Sequence, residues 1–147
     1  LTRDNFTFPI GDLVFELEVT KFGFEICEDA WRKEKRPGYR LAQRGVNLIL
    51  NQSASHFAMG KSQLREQEVV KDGSRMFNCA YLFVNLLGNE AGRIIYDGDI
   101  IFGLKGDVIH LNNRLSLKPF NLVWCDIDFD YLDATARHPL TDTKIKN

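Results

Sequence analysis

Alternating apolar and polar residues near the N-terminus predict two β-strands. Leu13–Val19 alternates with a period close to two and is rich in strand-forming residues. Lys21–Ile26 predicts a second strand that runs directly into Cys27. After a basic loop, Tyr39–Arg44 predicts a short helix that ends at Gly45, because glycine readily adopts the conformation that closes a helix.

The middle of the chain alternates between strands and helices. Val46–Leu50 and Cys79–Asn85 are compact apolar runs, which are typical of buried strands. Between them, Met59–Asn78 is rich in charged residues and predicts a surface helix, which Gly73 weakens. The apolar stripe of this helix is formed by Leu64, Val69, Met76 and Phe77.

Short apolar segments separated by glycines dominate the rest of the chain. Four further strands are predicted, at Arg93–Tyr96, Asp99–Phe102, Asp107–His110 and Leu122–Ile127. Turns are predicted at Gly98, Gly103 and Gly106. This order indicates an α/β fold with an antiparallel extension. We expect one domain over residues 1–138, and residues 139–147 to be a polar tail or the start of a linker.

Composition and charge exclude several classes of function. The chain has 147 residues, of which 44% are hydrophobic and 27% charged, as expected for one globular domain. Its formal charge of −1 argues against nucleic acid or an anionic membrane as the main partner. No apolar run approaches the roughly 20 residues of a membrane span. The N-terminus lacks both Met and a signal-peptide core, so we expect an internal piece of a longer protein.

The cysteines indicate a reducing compartment. Cys27, Cys79 and Cys125 are an odd number with wide spacing, which is atypical of a secreted disulfide framework. The three histidines lie far from them in sequence, so no metal site is predicted. We therefore expect a cytoplasmic protein. Cys79 and Cys125 lie in apolar runs, and we interpret both as core residues.

Cys27 has a position that suits a nucleophile. A thiol where a strand gives way to a loop is lifted out of the sheet, and the backbone N–H of Glu28 is placed to stabilise an oxyanion. The alternative is a small buried hydrophobic residue, which is the usual fate of a free cysteine. The neighbouring carboxylates of Glu25 and Glu28 would raise the pKa of the thiol, so a nearby cation is required.

Four motifs carry a resemblance to a known family. Phe24–Trp31 resembles the nucleophile segment of the nitrilase, or carbon–nitrogen hydrolase, superfamily, and its ICEDxW form is most similar to the glutaminase domain of glutamine-dependent NAD synthetases. Asn51–Ser55 with Gly60-Lys61, then Val84–Glu90 and Ile95–Gly98, resemble later motifs of that family in the same order. The resemblance implies the C-terminal half of an αββα sandwich, with a mixed β-sheet and flanking helices.

The resemblance also implies a reaction and its residues. Cys27 matches the thiol that attacks the side-chain amide of L-glutamine, giving a thioester and ammonia. Ser55 and Lys61 match positions that hold glutamine, although by themselves a serine in such a loop is typical of a turn or helix cap and a lysine of a solvated helix face. The superfamily uses no histidine base, so we interpret His56 as loop surface.

The chain departs from the family pattern in one major respect. The family's catalytic Glu and Lys lie well before the cysteine, but only 26 residues precede Cys27, and Glu16, Glu18 and Lys21 are too close to match them. We therefore expect the isolated chain to be inactive, and its partners to be the missing N-terminal half and a synthetase domain. Half a sandwich leaves a sheet face uncovered, so a homo-oligomer is also expected.

Resemblance implies no cofactor for this domain, whereas ATP, Mg²⁺ and deamido-NAD would serve the absent synthetase domain. Two alternative functions are also compatible with the sequence. One is an amidase that acts on another small amide, and the other is a non-catalytic oligomerisation module. A nucleic-acid-binding module has little support, because Glu34 interrupts the only basic cluster, at Arg32, Lys33, Lys35 and Arg36.

Overall fold

The computed structural model describes the backbone of residues 2–3 and 5–136, with side chains over residues 5–132. Ten strands are present in this part of the chain: β1 (Thr2–Arg3), β2 (Phe6–Thr7), β3 (Phe15–Leu17), β4 (Thr20–Ile26), β5 (Leu48–Ser53), β6 (Ala80–Asn85), β7 (Leu87–Glu90), β8 (Ile94–Asp97), β9 (Ile100–Leu104) and β10 (Asp107–Leu111). The α-helices are α1 (Gly38–Gln43), α2 (Lys61–Leu64), α3 (Asp72–Met76) and α4 (Phe129–Ala136). Two 3₁₀ helices cover Cys27–Trp31 and Lys33–Lys35, and a π-helical stretch, Arg65–Lys71, joins α2 to α3.

A six-stranded mixed sheet in the order β10-β9-β6-β5-β4-β3 forms the centre of the molecule. The three middle strands, β4, β5 and β6, are parallel, with Ile26 opposite Gln52 and Ser53 opposite Asn85. The flanking pairs are antiparallel. Because β4, β5 and β6 end at the same edge, the loops that follow them lie side by side.

The helices cover one face of this sheet. Ile49, Tyr81 and Phe83 point to that face and are at most 1% exposed, packed with Val69 and Val70 of the π-helical stretch. The other face carries Phe22, Phe24, Leu48, Leu50 and Leu82, all only half-buried. The mixed α/β class and the mixed sheet are therefore confirmed, and the second sheet face is partly open.

Most predicted elements are present with shifted bounds. The strand predicted over Leu13–Val19 is shorter, and the one predicted over Val46–Leu50 begins later and continues to Ser53. That strand is not buried on both faces, because Leu48 and Leu50 lie on the open face. The segment Phe129–Ala136 is helical, which the sequence analysis did not predict.

Two predictions about the C-terminal third are wrong. Gly103 lies inside β9 rather than in a turn, and a Cβ there would be 2.4 Å from Cγ1 of Val70. The glycine is thus needed for close approach of the helix to the sheet. Leu122–Ile127 is not a strand, although its residues alternate between exposed and half-buried. Its alternation predicts an extended chain, but the described structure supplies no neighbouring strand for it.

Residues 139–147, predicted to be a tail or linker, lie outside the described residues. None of the described helices is long and apolar enough to cross a membrane.

Candidate functional site

Cys27 lies directly after β4, at the sheet edge where the parallel strands end. Its backbone φ is 48°, a left-handed conformation that is uncommon for a residue other than glycine. Such strained positions cluster at functional sites, and a nucleophile at a strand-to-helix turn is held in this way. The side chain of Cys27 is half-buried, so it is not enclosed in the core.

The turn after Cys27 begins a 3₁₀ helix. The N–H of Ile26 donates to Oδ2 of Asp29 at 3.0 Å, which fixes the entry of the chain into this helix. The Glu28 side chain is 80% exposed and lies 3.6 Å from Arg32. Glu25 is fully buried on the helix-covered face, where it pairs with Arg36 at 2.7 Å. Of the two carboxylates predicted to disturb the thiol, one is therefore solvated and the other neutralised.

Cys27, Ser55 and Lys61 line one cavity of about 510 Å³ at this edge of the sheet. Its remaining lining residues are Glu28, Trp31, His56, Ala58, Met59 and Leu64. The three side chains come from three separate segments, which meet because β4 and β5 end together and α2 begins next to them. His56 is exposed in the loop, as expected, and also borders the cavity.

Burial and the nearby Arg65 guanidinium lower the pKa of Lys61 below its ordinary value, and the charges of Asp97 and Cys27 act in the opposite direction. Lys61 and Cys27 line the same cavity, and a negative charge on Cys27 favours the ammonium form of Lys61. An anion bound in the cavity would favour the ammonium form of Lys61.

A cluster of buried polar side chains lies behind the loop that carries Ser55 and His56. The sequence pattern did not predict this cluster. Arg65, Asp97 and Asp99 are all fully buried, although Arg65 was predicted to lie on a helix surface. Arg65 lies four residues before the buried Val69, and the carboxylates of Asp97 and Asp99 compensate its buried charge. Leu64 and Met76, predicted to be in the apolar stripe, are exposed. Asn85 and Asp97 belong to the family motifs, and these motifs were the only feature of the sequence that pointed to the cluster.

The other two cysteines differ from each other. Cys79 is fully buried, as predicted, and burial together with the charge of Glu25 raises the pKa of its thiol far above the ordinary value. Cys125 is not a core residue, because it is half-buried beside the open sheet face, and burial and Asp126 raise the pKa of its thiol.

No group of three or more His, Cys, Asp or Glu side chains in the described part of the chain could hold a metal ion.

Comparison with known proteins identifies the family. The family model for carbon–nitrogen hydrolase matches residues 2–137. The chain belongs to the carbon–nitrogen hydrolase family. It is 43% identical to a glutamine-dependent NAD(+) synthetase from Cytophaga hutchinsonii, with a TM-score of 0.75 over 86% of this chain and 20% of that one. It is 28% identical to the glutamine-dependent NAD(+) synthetase of Drosophila melanogaster over 87% of this chain.

The family members it matches are much longer. The chain spans 16% of the Drosophila synthetase and 20% of the Cytophaga one. A carbon–nitrogen hydrolase from Helicobacter pylori shares the fold, with a TM-score of 0.68 at 20% identity, and the chain spans 48% of it. This carbon–nitrogen hydrolase chain therefore spans about half the length of the Helicobacter chain.

Proposed function

We propose that this chain carries the nucleophile and the glutamine-binding residues of a glutaminase site that supplies ammonia for NAD synthesis from deamido-NAD. The observation that carries the proposal is that Cys27, Ser55 and Lys61 border one cavity at the end of the parallel strands. The similarity to glutamine-dependent NAD synthetases supports glutamine as the amide.

The chemistry follows from these positions. Sγ of Cys27, as the thiolate, forms a bond to the amide carbon of glutamine, and the negative charge moves to the amide oxygen. The N–H of Glu28 donates a hydrogen bond to that oxygen. The C–N bond breaks as the nitrogen takes up the proton that the general base removed from the Cys27 thiol, and ammonia leaves. Water then gives a proton to the same base and attacks the thioester carbon, the C–S bond breaks, glutamate leaves, and Cys27 returns to the thiolate.

Ser55 and Lys61 would bind the other end of the substrate. A charged hydrogen bond between the Lys61 ammonium and the α-carboxylate of glutamine is stronger than one between neutral groups. The Ser55 hydroxyl is suited to hold the carboxylate or the ammonium group. Short amides that lack both groups would gain nothing from either residue, so the pair would select glutamine.

The general base and the second cation that the family uses are not supplied by the described residues. Glu16 and Lys21 form an exposed ion pair at 3.1 Å where β4 begins, at the opposite end of the strand from Cys27. Glu25 is committed to Arg36, and the Glu28 side chain points into solvent. The described residues thus provide no Glu–Lys pair for Cys27.

The open sheet face fits the same conclusion. Phe22, Phe24, Leu48 and Leu50 line it only half-buried, next to the extended segment that contains Leu122 and Trp124, which are 75% and 80% exposed. We expect the missing half of the hydrolase domain to cover this face, and copies of this chain to associate through it when that half is absent. The synthetase domain, with its ATP, Mg²⁺ and deamido-NAD, would be a further partner.

The isolated chain is expected to release no ammonia from glutamine above the rate of its Cys27→Ala variant. Addition of the missing half of the hydrolase domain, on the same or on a separate polypeptide, should restore release, and only with Cys27 intact. Ammonia is measured by a coupled dehydrogenase assay, with glutamine and short aliphatic amides compared as substrates. Robust turnover by the chain alone would contradict the absence of the base from these residues, and a preference for the short amides would contradict glutamine.

Lys61→Met is expected to reduce labelling of Cys27 by a glutamine-like chloroketone by about tenfold to a hundredfold, the loss expected for one charged hydrogen bond of about 1.5–3 kcal/mol. Labelling by iodoacetamide, which has no carboxylate, should change little. Lys71→Met is the matched control, because Lys71 pairs with Glu66 at 2.9 Å and does not line the cavity. Equal losses for both reagents would show that Lys61 does not recognise the substrate.

A further inference from the structure

The buried cluster behind the cavity is held together by short ionic contacts. Nη1 of Arg65 lies 2.6 Å from Oδ2 of Asp97 and 2.7 Å from Oδ2 of Asp99, and all three side chains are 0% exposed. Arg114, 35% exposed, lies 3.7 Å from Asp97 and 3.6 Å from Asp99. Two carboxylates thus face two guanidinium groups, so the cluster has no net charge.

The cluster reaches into the loop that carries Ser55. Nη2 of Arg65 donates to the carbonyl oxygens of Ser55 at 3.1 Å and of His56 at 3.3 Å. Nδ2 of Asn85 donates to the same Ser55 oxygen at 2.8 Å and to Asp97 at 2.6 Å. The N–H of Ser55 donates to Oδ1 of Asn85 at 2.8 Å. Both backbone polar groups of Ser55 are therefore fixed by side chains of the cluster or its partner Asn85.

The same cluster reaches the segment that carries Lys61. The hydroxyl of Ser62 donates to Oδ1 of Asp99 at 3.0 Å, which ties the first turn of α2 to the sheet. Arg65 begins the π-helical stretch immediately after α2, and such stretches are frequent at functional sites. The loop and the helix are thus attached to one buried group.

A buried ionic cluster is not needed to make a core stable. Well-packed apolar side chains of similar volume are often as stable as a buried ion pair, or more stable. An apolar cluster, however, could not donate hydrogen bonds to the carbonyl oxygens of Ser55 and His56, as Arg65 does. The cluster residues are not among those that line the cavity, so they act through Ser55 and Lys61.

We propose that Arg65, held by Asp97 and Asp99, is the positioning residue that sets Ser55 and Lys61 against Cys27 and so determines recognition of glutamine. Arg65→Lys keeps a cation against the two carboxylates but loses the nitrogen that holds the loop carbonyls. Asp99→Asn is a second, milder variant that loosens Arg65 from the other side. Arg75→Lys is the matched control, because Arg75 is exposed, pairs with Asp72 at 2.6 Å and does not line the cavity.

Hydrogen exchange of the Ser55 amide is the first measurement, because it needs no ligand and so is independent of the proposed glutaminase function on which the inference rests. We expect Arg65→Lys to accelerate this exchange by about tenfold, because loss of the bonds from Arg65 to the Ser55 and His56 carbonyls leaves the loop held by Asn85 and opening more often, with the amides of β5 unchanged. Arg75→Lys should leave both unchanged. If Arg65→Lys does not fold, Asp99→Asn should show the same local acceleration to a smaller extent. Unchanged exchange at Ser55 in the folded variants would overturn the proposal.

The second measurement is the ratio of Cys27 labelling rates with the glutamine-like chloroketone and with iodoacetamide. We expect the ratio to fall by about tenfold in Arg65→Lys and not in Arg75→Lys. A ratio that stays constant while the wild type prefers the chloroketone would overturn the positioning role. A wild type with no preference for the chloroketone would instead overturn the proposed function, and Ser55 exchange would then decide the positioning role alone.

Discussion

Iodoacetamide is expected to alkylate Cys27 in the folded chain at least about a hundredfold faster than Cys79, because accessibility and thiolate character together control thiol reactivity. Cys27 borders an open cavity, whereas Cys79 is 0% exposed. Burial and the charge of Glu25 raise the pKa of Cys79, so its thiol should stay protonated and unreactive across the neutral and mildly alkaline range. Peptide mass spectrometry over a time course measures both rates in one sample.

Three comparisons make this experiment decisive. Cys27→Ser should lose the fast-reacting site, and Cys125→Ser should keep it. Unfolding in urea should bring the rates of Cys27 and Cys79 within about tenfold of each other, because burial then no longer protects either thiol. Glutamine in excess should slow labelling at Cys27 alone once the complete site is assembled. A native Cys27 that reacts as slowly as Cys79 would contradict a nucleophilic role.

The position of Cys27 could be predicted from sequence, but its conformation could not. An apolar strand that stops at a cysteine indicates a residue at a sheet edge. The left-handed φ of Cys27 depends on how the next turn packs, including the bond from Ile26 to Asp29. Local propensity disfavours that conformation, and tertiary contacts impose it.

The parallel arrangement of β4, β5 and β6 brings Cys27, Ser55 and Lys61 to one cavity, although only the family resemblance singled out Ser55 and Lys61 in the sequence. Each residue follows or begins an element whose type was correctly predicted, and parallel strands separated by helices end at one edge. By contrast, the burial of Arg65 depends on Asp97 and Asp99, which lie more than 30 residues away in sequence. A charged residue in a charged segment predicts exposure to solvent. Only the fold brings Asp97 and Asp99 next to Arg65 and so allows its burial.

The glycines show the same limit in another way. Gly73 weakens a helix when it is considered alone, but a Cβ there would lie 2.7 Å from Nη2 of Arg36. Gly38 begins α1, and a Cβ there would lie 2.2 Å from the Phe77 ring. Both glycines make room for side chains distant in sequence, which local patterns do not record.

The buried Glu25–Arg36 pair, which Gly73 accommodates, is expected to be costly to break from one side, because the remaining charge would be buried without a partner. Oε2 of Glu25 accepts bonds from Arg36 at 2.7 Å and from the Tyr81 hydroxyl at 2.6 Å, and Oε1 accepts the N–H of Gly38 at 2.9 Å. Burial and the charge of Glu25 raise the pKa of Tyr81, so its hydroxyl remains a donor.

Arg36 extends this pair to the helix layer. It donates to the carbonyl oxygens of Glu68 and Val69, both at 3.3 Å, and its guanidinium lies 5.0 Å from the centre of the Phe77 ring. Glu25 is two residues before Cys27 on β4, so the pair attaches the nucleophile strand to the π-helical stretch. Loss of either partner would leave one charge buried without compensation.

Glu25→Gln should therefore lower the free energy of unfolding by about 3–5 kcal/mol, the cost of breaking a buried pair from one side. Arg36→Met should cost a similar amount, and the double variant less than the sum of the two, because it leaves no uncompensated charge. Asp72→Asn, which breaks the exposed pair with Arg75, should cost less than about 1 kcal/mol. Urea unfolding followed by circular dichroism gives all four values. If Glu25→Gln costs no more than Asp72→Asn, or if the single losses simply add, the pair does not hold β4 against the helix layer, and the orientation of Cys27 must be maintained by its own turn.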